Sequence, residues 1–234
     1  MKSKFALGMR HGVPIMLGYL SVSFGFGVLC VQKNLSVLAA VGISVTNLTS
    51  AGQVAGVGVI VAGGSVLEMI LCQFVINLRY SLMSLSLSQK LAPSFTLPHR
   101  LLAGFGVTDE IFAVASSQPE PIEPSYMYGL IFTPFIGWST GTLLGAVAGD
   151  IMPSAVTAAL SLMLYGMFIA IIIPPAKKSR KVLFVVLTAA GISILIHYLL
   201  PVISNGFSII ISAVVSSTVA ALIFPVQERG EDES

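Results

Sequence analysis

The sequence predicts an all-α, polytopic integral membrane protein with about seven transmembrane helices and one polar re-entrant or amphipathic segment. Three observations predict it. Only 9% of the 234 residues are charged and 55% are hydrophobic, against about 25% charged in a typical soluble domain, so lipid must cover most of the outside. Mean hydropathy is +0.93. Apolar runs recur at 13–31, 35–61, 66–87, 126–147, 153–173, 181–200 and 206–224, each close to or above the roughly 20 residues a crossing needs. The runs do not alternate as barrel strands would, and in lipid only helices or closed barrels satisfy the backbone. Residues 1–226 read as a single transmembrane domain and 227–234 as an acidic, disordered tail. The net charge of +2 is too small to suggest nucleic acid as a partner.

The first run follows Lys2, Lys4 and Arg10. It is longer than a signal-peptide core and lacks a small-x-small cleavage site, so it reads as an uncleaved span. The second run contains a polar patch, Ser44 through Gln53, whose later part is Asn47-Leu48-Thr49-Ser50-Ala51-Gly52-Gln53. Ser, Thr and Asn side chains compete for backbone hydrogen bonds, and the patch reads as a broken helix. Unwound backbone in a membrane must line a cavity or be buried in protein, and half-helix ends supply partial charges. A continuous helix with a polar packing face is the alternative.

In the third run, Gln73, Asn77, Tyr80, Ser81, Ser84 and Ser88 fall on one helical face, which must meet a cavity or another helix. Arg79 points away from that stripe and cannot lose its proton, so it must reach an interface or pair internally. Asp109 and Glu110 are the candidate partners, giving a gate, a substrate clamp or a structural pair. They sit in the half-apolar stretch 99–118, followed by a rigid acidic connector, Gln118 to Ser125.

The fourth run carries Gly137, Gly141, Gly145 and Gly149, a ridge that lets another helix approach closely. Within it, Gly137-Trp138-Ser139-Thr140-Gly141 matches a nucleophile-elbow pattern, which means something only at a strand-to-helix turn. Ser139 with His197 would make an intramembrane serine hydrolase, held as an alternative. Glu68 and Asp150 read as interfacial, and His197 as an interface anchor or a proton-coupling group. Cys30 and Cys72 show neither metal spacing nor a disulfide framework. No phosphate loop, zinc motif or dinucleotide fingerprint is present, so no metal or cofactor is expected.

Orientation turns on 99–118. If it does not cross, Lys2, Lys4 and Arg10 face Lys33, Lys90, Arg100, Lys177, Lys178, Arg180, Lys181 and Arg229 across the membrane, and the positive-inside rule puts the N-terminus outside. If it crosses, both termini face the cytoplasm. The re-entrant scheme is adopted because Asp109 and Glu110 would otherwise sit at mid-bilayer. Gly12–Leu29 resembles Gly129–Leu144 in apolar pattern, which suggests two three-helix units of inverted topology.

Gly12-Val13-Pro14, Ser23-Phe24-Gly25-Phe26-Gly27, Ala51-Gly52-Gln53, Asn77-Leu78-Arg79-Tyr80, Thr108-Asp109-Glu110 and Gly137-Trp138 with Gly141-Thr142 and Gly145, in that order, resemble the AzlC family over about residues 8 to 200. The polar Asn47 and Thr49, and Tyr80 where histidine is frequent, depart from the family pattern. The resemblance implies the large subunit of a branched-chain amino acid exporter. Such a subunit acts with a small AzlD-type membrane partner and is driven by the proton-motive force in the cytoplasmic membrane of a prokaryote. Isoleucine, leucine, valine and methionine are the expected substrates. Ser50, Gly52, Gln53, Gln73 and Asn77 are expected to hold the charged ends of the amino acid, and Phe24 or Phe26 its branched side chain. Arg79 with Asp109 and Glu110 is expected to gate or couple. A channel for another small solute is the remaining alternative.

Overall fold

The computed structural model describes residues 4–149 and 151–225; Asp150 and the acidic tail from 227 lie outside the described residues. Ten helices follow in order: α1 (Lys4–Gln32), α2 (Val37–Thr46), α3 (Ser50–Val61), α4 (Val66–Ser88), α5 (Leu97–Phe105), α6 (Asp109–Ser116), α7 (Pro124–Gly149), α8 (Ser154–Lys178), α9 (Arg180–Leu199) and α10 (Asn205–Ile223). Among the described residues, α1, α4, α7, α9 and α10 are long and apolar enough to cross a membrane. The chain divides into two compact units, one formed by the described residues up to Val57 with Ile76–Met167, the other by Gly58–Val75 with the described residues from Phe168.

The seven apolar runs do not become seven spans. Run 35–61 forms two helices of 10 and 12 residues, roughly 15 and 18 Å long at 1.5 Å per residue and too short for a bilayer core of about 30 Å. The break is Asn47-Leu48-Thr49, and Ser50 to Gln53 are the first turn of α3. Local chemistry places it there. The Thr46 hydroxyl donates back to the Gly42 carbonyl at 2.7 Å, while Thr49 Oγ1 accepts from Gly52 N at 3.1 Å and so caps α3.

In the first unit α1 and α7 lie in contact along their length. A Cβ at Gly8 or Gly27 would strike the carbonyl oxygens of Tyr126 or Thr142, and one at Gly129 or Gly145 those of Phe5 or Phe24. Partners rise in number together on both helices, so the two run parallel. Gly137, Gly141, Gly145 and Gly149 all face α1, against Met16, Leu20, Phe24 and Val28. Small residues permit this close approach, and the many van der Waals contacts it allows hold membrane helices together.

The ends of the remaining elements can be read against this pair. At the start of α1 and α7, Leu91 bridges Ile122, Lys4 pairs with Glu120 at 2.7 Å, and Lys90 Nζ donates to the Ser116 and Gln118 carbonyls. The Lys4 ammonium holds the Glu120 carboxyl below its ordinary range. So α4 ends, and α6 also ends, at the Lys4 face. Tyr19, about 22 Å along α1 from Lys4 by helical rise, bonds Thr108 and Glu110. The pair α5–α6 therefore enters from the Lys4 face, turns at Gly106–Thr108 halfway along α1, and returns.

The pair α2–α3 does the same from the Gln32 face. Ala40 and Val57 share a cluster with Phe26, Cys30 and Ala146 near the ends of α1 and α7. Leu48, at the turn, belongs to the more central cluster with Tyr19, Val107 and Trp138.

Residues 37–88 and 97–149 are thus two copies of one plan, a returning helix pair followed by a long helix. Each second short helix is capped by a threonine, Thr49 or Thr108. Within the first unit α4 and α7 run in opposite directions, which makes the repeat inverted. This corrects the repeat suggested by the likeness of Gly12–Leu29 to Gly129–Leu144. Those stretches lie in α1 and α7, which are parallel, and resemble each other because each presents glycines to the other.

In the second unit α9 and α10 pack together, with Phe184 against Phe224. Glu68, 4% exposed, accepts from Ser204 Oγ and from Gly206 N at the start of α10. Glu68, in the first turn of α4, thus caps the start of α10, where a carboxylate neutralises the positive end of a helix.

Candidate functional site

The two turns carry most of the buried polar chemistry of the first unit. At the first, Ser44 Oγ and Thr142 Oγ1 lie 2.7 Å apart, and Gln53 Nε2 donates to Ser44 Oγ at 3.1 Å. All three side chains are 0% exposed. Among the described residues Gln53 Oε1 has no partner, an acceptor whose desolvation no bond there offsets. One turn below Thr142 on α7, the buried Trp138 Nε1–H is a donor without a partner among the described residues, its ring edge-on to Tyr19 at 5.2 Å. Ser50 is half-buried and Gly52 buried in the first turn of α3. In that turn Gly52 N donates to Thr49 Oγ1 at 3.1 Å and Gln53 N to the Thr49 carbonyl at 2.8 Å.

At the second turn, Tyr19 Oη lies 2.6 Å from both Thr108 Oγ1 and Glu110 Oε2. A phenol has one proton, so the arrangement that satisfies all three has Tyr19 donating to the Glu110 carboxylate and accepting from the Thr108 hydroxyl. Thr108 Oγ1 also accepts from Ile111 N at 3.4 Å, capping α6. Arg79 Nη1 stands 2.7 Å from Asp109 Oδ2, and its Nη2 donates to Tyr80 Oη at 3.0 Å. Both ion-pair side chains are part-exposed, at 40% and 43%.

The remaining expected site residues are scattered. Asn77 is half-buried on α4, two residues before Arg79. Gln73 falls in the second unit, with its Nε2 against Met69 Sδ at 3.8 Å. Phe24 is half-buried, its carbonyl facing Gly145. Phe26 is 1% exposed and packed with Cys30, Ala40, Val57 and Ala146, so it fills a core instead of facing open space. Ser139 lies in the middle of the continuous helix α7, not at a strand-to-helix elbow, and His197 belongs to the second unit. Tyr19 was not singled out by the sequence, and Ser44, Trp138 and Thr142 entered only as members of a patch or motif, without a role. Within apolar helices they carry no signature until the turns are placed beside them.

The AzlC protein family model matches residues 14–152, which spans both turns and all of the glycine ridge. An uncharacterized membrane protein of Archaeoglobus fulgidus is 31% identical over 175 residues, covering 74% of this chain and 76% of its own. Inner membrane protein YgaZ of Escherichia coli K12 is 25% identical over 236 residues, covering 98% and 94%. An uncharacterized membrane protein of Helicobacter pylori is 25% identical over 144 residues, covering 60% and 62%. No solved structure matches the chain. Helices of membrane-spanning length and relatives that are themselves membrane proteins make this a multi-pass membrane protein.

Proposed function

The chain belongs to the AzlC protein family, and from that premise we propose that it is the large subunit of a secondary transporter exporting isoleucine, leucine, valine and methionine. It works with a small AzlD-type partner in the cytoplasmic membrane of a prokaryote, driven by the proton-motive force. The observation that carries the transport reading is the pair of oppositely entering helix turns that reach the middle of α1. Inverted repeats with broken helices are how many secondary transporters build a substrate site near the bilayer midplane. The branched-chain substrate and the small partner rest on the family resemblance.

In this reading the first turn of α3, with Ser50, Gly52 and Gln53, receives the charged ends of the amino acid. The N-terminal turn suits a carboxylate, and the open Gln53 Oε1 suits an ammonium. Asn77 on α4 is the further proposed ligand, and Phe24 borders the side chain. Arg79 and Asp109 form the gate. Glu110, held by Tyr19, is the carboxylate left to carry a coupled proton, since Asp109 is engaged with Arg79. An apolar pocket separates substrates differing by one methylene by only about 1–3 kcal/mol, which gives the broad selectivity proposed.

The test is isoleucine efflux from cells loaded with an isoleucine dipeptide, with and without a co-expressed small partner. Efflux should quicken only with both chains and collapse on adding an uncoupler. Unchanged efflux, with both chains shown to be in the membrane, removes the branched-chain assignment.

A further inference from the structure

The serines of the α4 stripe have an occupant to explain. Ser81, Ser84 and Ser88 line one wall of a cavity of about 390 Å³ in the first unit, within the range of roughly 300–1,000 Å³ typical of small-molecule sites. Leu87, Phe95, Val107 and Met127 make the apolar part of its lining, and Arg100 stands among them. Leu91 and Phe95 lie beside the Leu91–Ile122 bridge at the Lys4 face, whereas Val107 belongs to the central turn Gly106–Thr108. The cavity therefore runs from that face inward to the second helix turn. Arg100 is held by one bond, Nε to the Phe95 carbonyl at 3.2 Å. Among the described residues no carboxylate pairs with it. A guanidinium cannot discharge itself by losing its proton, and its fork fits a carboxylate with two parallel bonds. A hydroxyl wall, an apolar wall and an exposed cation with no carboxylate partner among the described residues complement the groups of a small apolar amino acid.

We propose that the cavity between α4, α5 and α7 is the access site through which the amino acid reaches the central turns from the Lys4 face, with Arg100 receiving its carboxylate. This rests on the transporter reading for the identity of the amino acid, but not for the existence of a carboxylate site. Ser84 is the probe position because it lies on the cavity wall and outside the site proposed for the central turns. The native cysteines, Cys30 and Cys72, are both 0% exposed and leave little background.

The experiment is to replace Ser84→Cys in the full chain, co-expressed with its small partner, and to measure modification by a membrane-impermeant maleimide. The solutes offered as protectants are isoleucine, 2-methylbutylamine (the same molecule without its carboxylate) and acetate. Labelling should occur only from the Lys4 face and be slowed by isoleucine but not by 2-methylbutylamine. Arg100→Gln should raise the protecting concentration about tenfold or more, the worth of a hydrogen bond to a charged group, without changing the unprotected rate. Protection by acetate alone would keep the carboxylate site and discard the branched-chain substrate. If neither carboxylate protects while isoleucine efflux remains normal, the access site is wrong and the transporter reading stands. If Arg100→Gln lowers only the amount of protein in the membrane, leaving protection by isoleucine intact, Arg100 anchors a lipid phosphate and the assignment is overturned.

Discussion

Tyr19 shows what a single side chain does at the turn between α5 and α6. Its hydroxyl holds Thr108 and Glu110 together, while its ring rests edge-on against Trp138. Tyr19→Phe keeps the ring and removes the bond to the carboxylate, worth about 1.5–3 kcal/mol for a hydrogen bond to a charged group. The variant should reach the membrane in normal amount, lose a few degrees of thermal stability in detergent, and respond less to the proton gradient. An unaltered flux–pH profile would argue against Glu110 as the coupled group. At this scale the sequence was uneven. The need of Arg79 for a counter-charge is legible because an arginine in a membrane helix cannot be neutral, and Asp109 lies 2.7 Å from it. The role of Tyr19 is not legible, because a tyrosine in an apolar helix looks the same whether it packs or bonds. The partner of Glu68 is 136 residues away, and no local pattern announces it.

Among the elements, the α1–α7 contact makes the sharpest demand on sequence. Gly145→Leu would drive a side chain into the Phe24 backbone, while Gly18 has nothing within 4 Å of a Cβ. Overpacking a closed interface costs about 1–3 kcal/mol or more. Gly145→Leu should therefore cut the yield of folded protein severalfold in size-exclusion profiles, and Gly18→Leu should leave it unchanged; equal yields would mean that α1 and α7 are not held by that ridge. The break in run 35–61 could be read from its Thr, Asn and Ser content. Its outcome could not, because hydropathy registers apolar length and is blind to direction. A run of 27 residues that turns back scores the same as one that crosses.

For the molecule as a whole, that blindness decides orientation. Counting 35–61 as a crossing sent Lys90 and Arg100 to the side opposite the N-terminus and put the N-terminus outside. With 37–61 returning to its own face, Lys4, Arg10, Lys90 and Arg100 gather at one face of the first unit and Lys33 lies at the other. By the positive-inside rule this gathering predicts a cytoplasmic Lys4 face. Single cysteines at Lys90 and Glu120 should be labelled from the cytoplasmic side and one at Lys33 from the outside. Labelling of Lys90 and Lys33 positions from the same side would dismantle both returning pairs at once. The all-helical membrane class was legible from composition alone. The inverted repeat of 37–88 and 97–149 was not, since its copies share a plan of breaks and caps with little apolar pattern in common.

In the proposed function the two helix turns, with the Arg79–Asp109 pair at the second, form the working site of a transporter. The most direct test is the isoleucine efflux rate of Asp109→Asn, measured with the small partner present and at a matched amount of protein in the membrane. The account predicts a loss of about tenfold or more, the scale of one charge-assisted hydrogen bond, with the chain still inserted and folded. Efflux at the wild-type rate in that variant would contradict it.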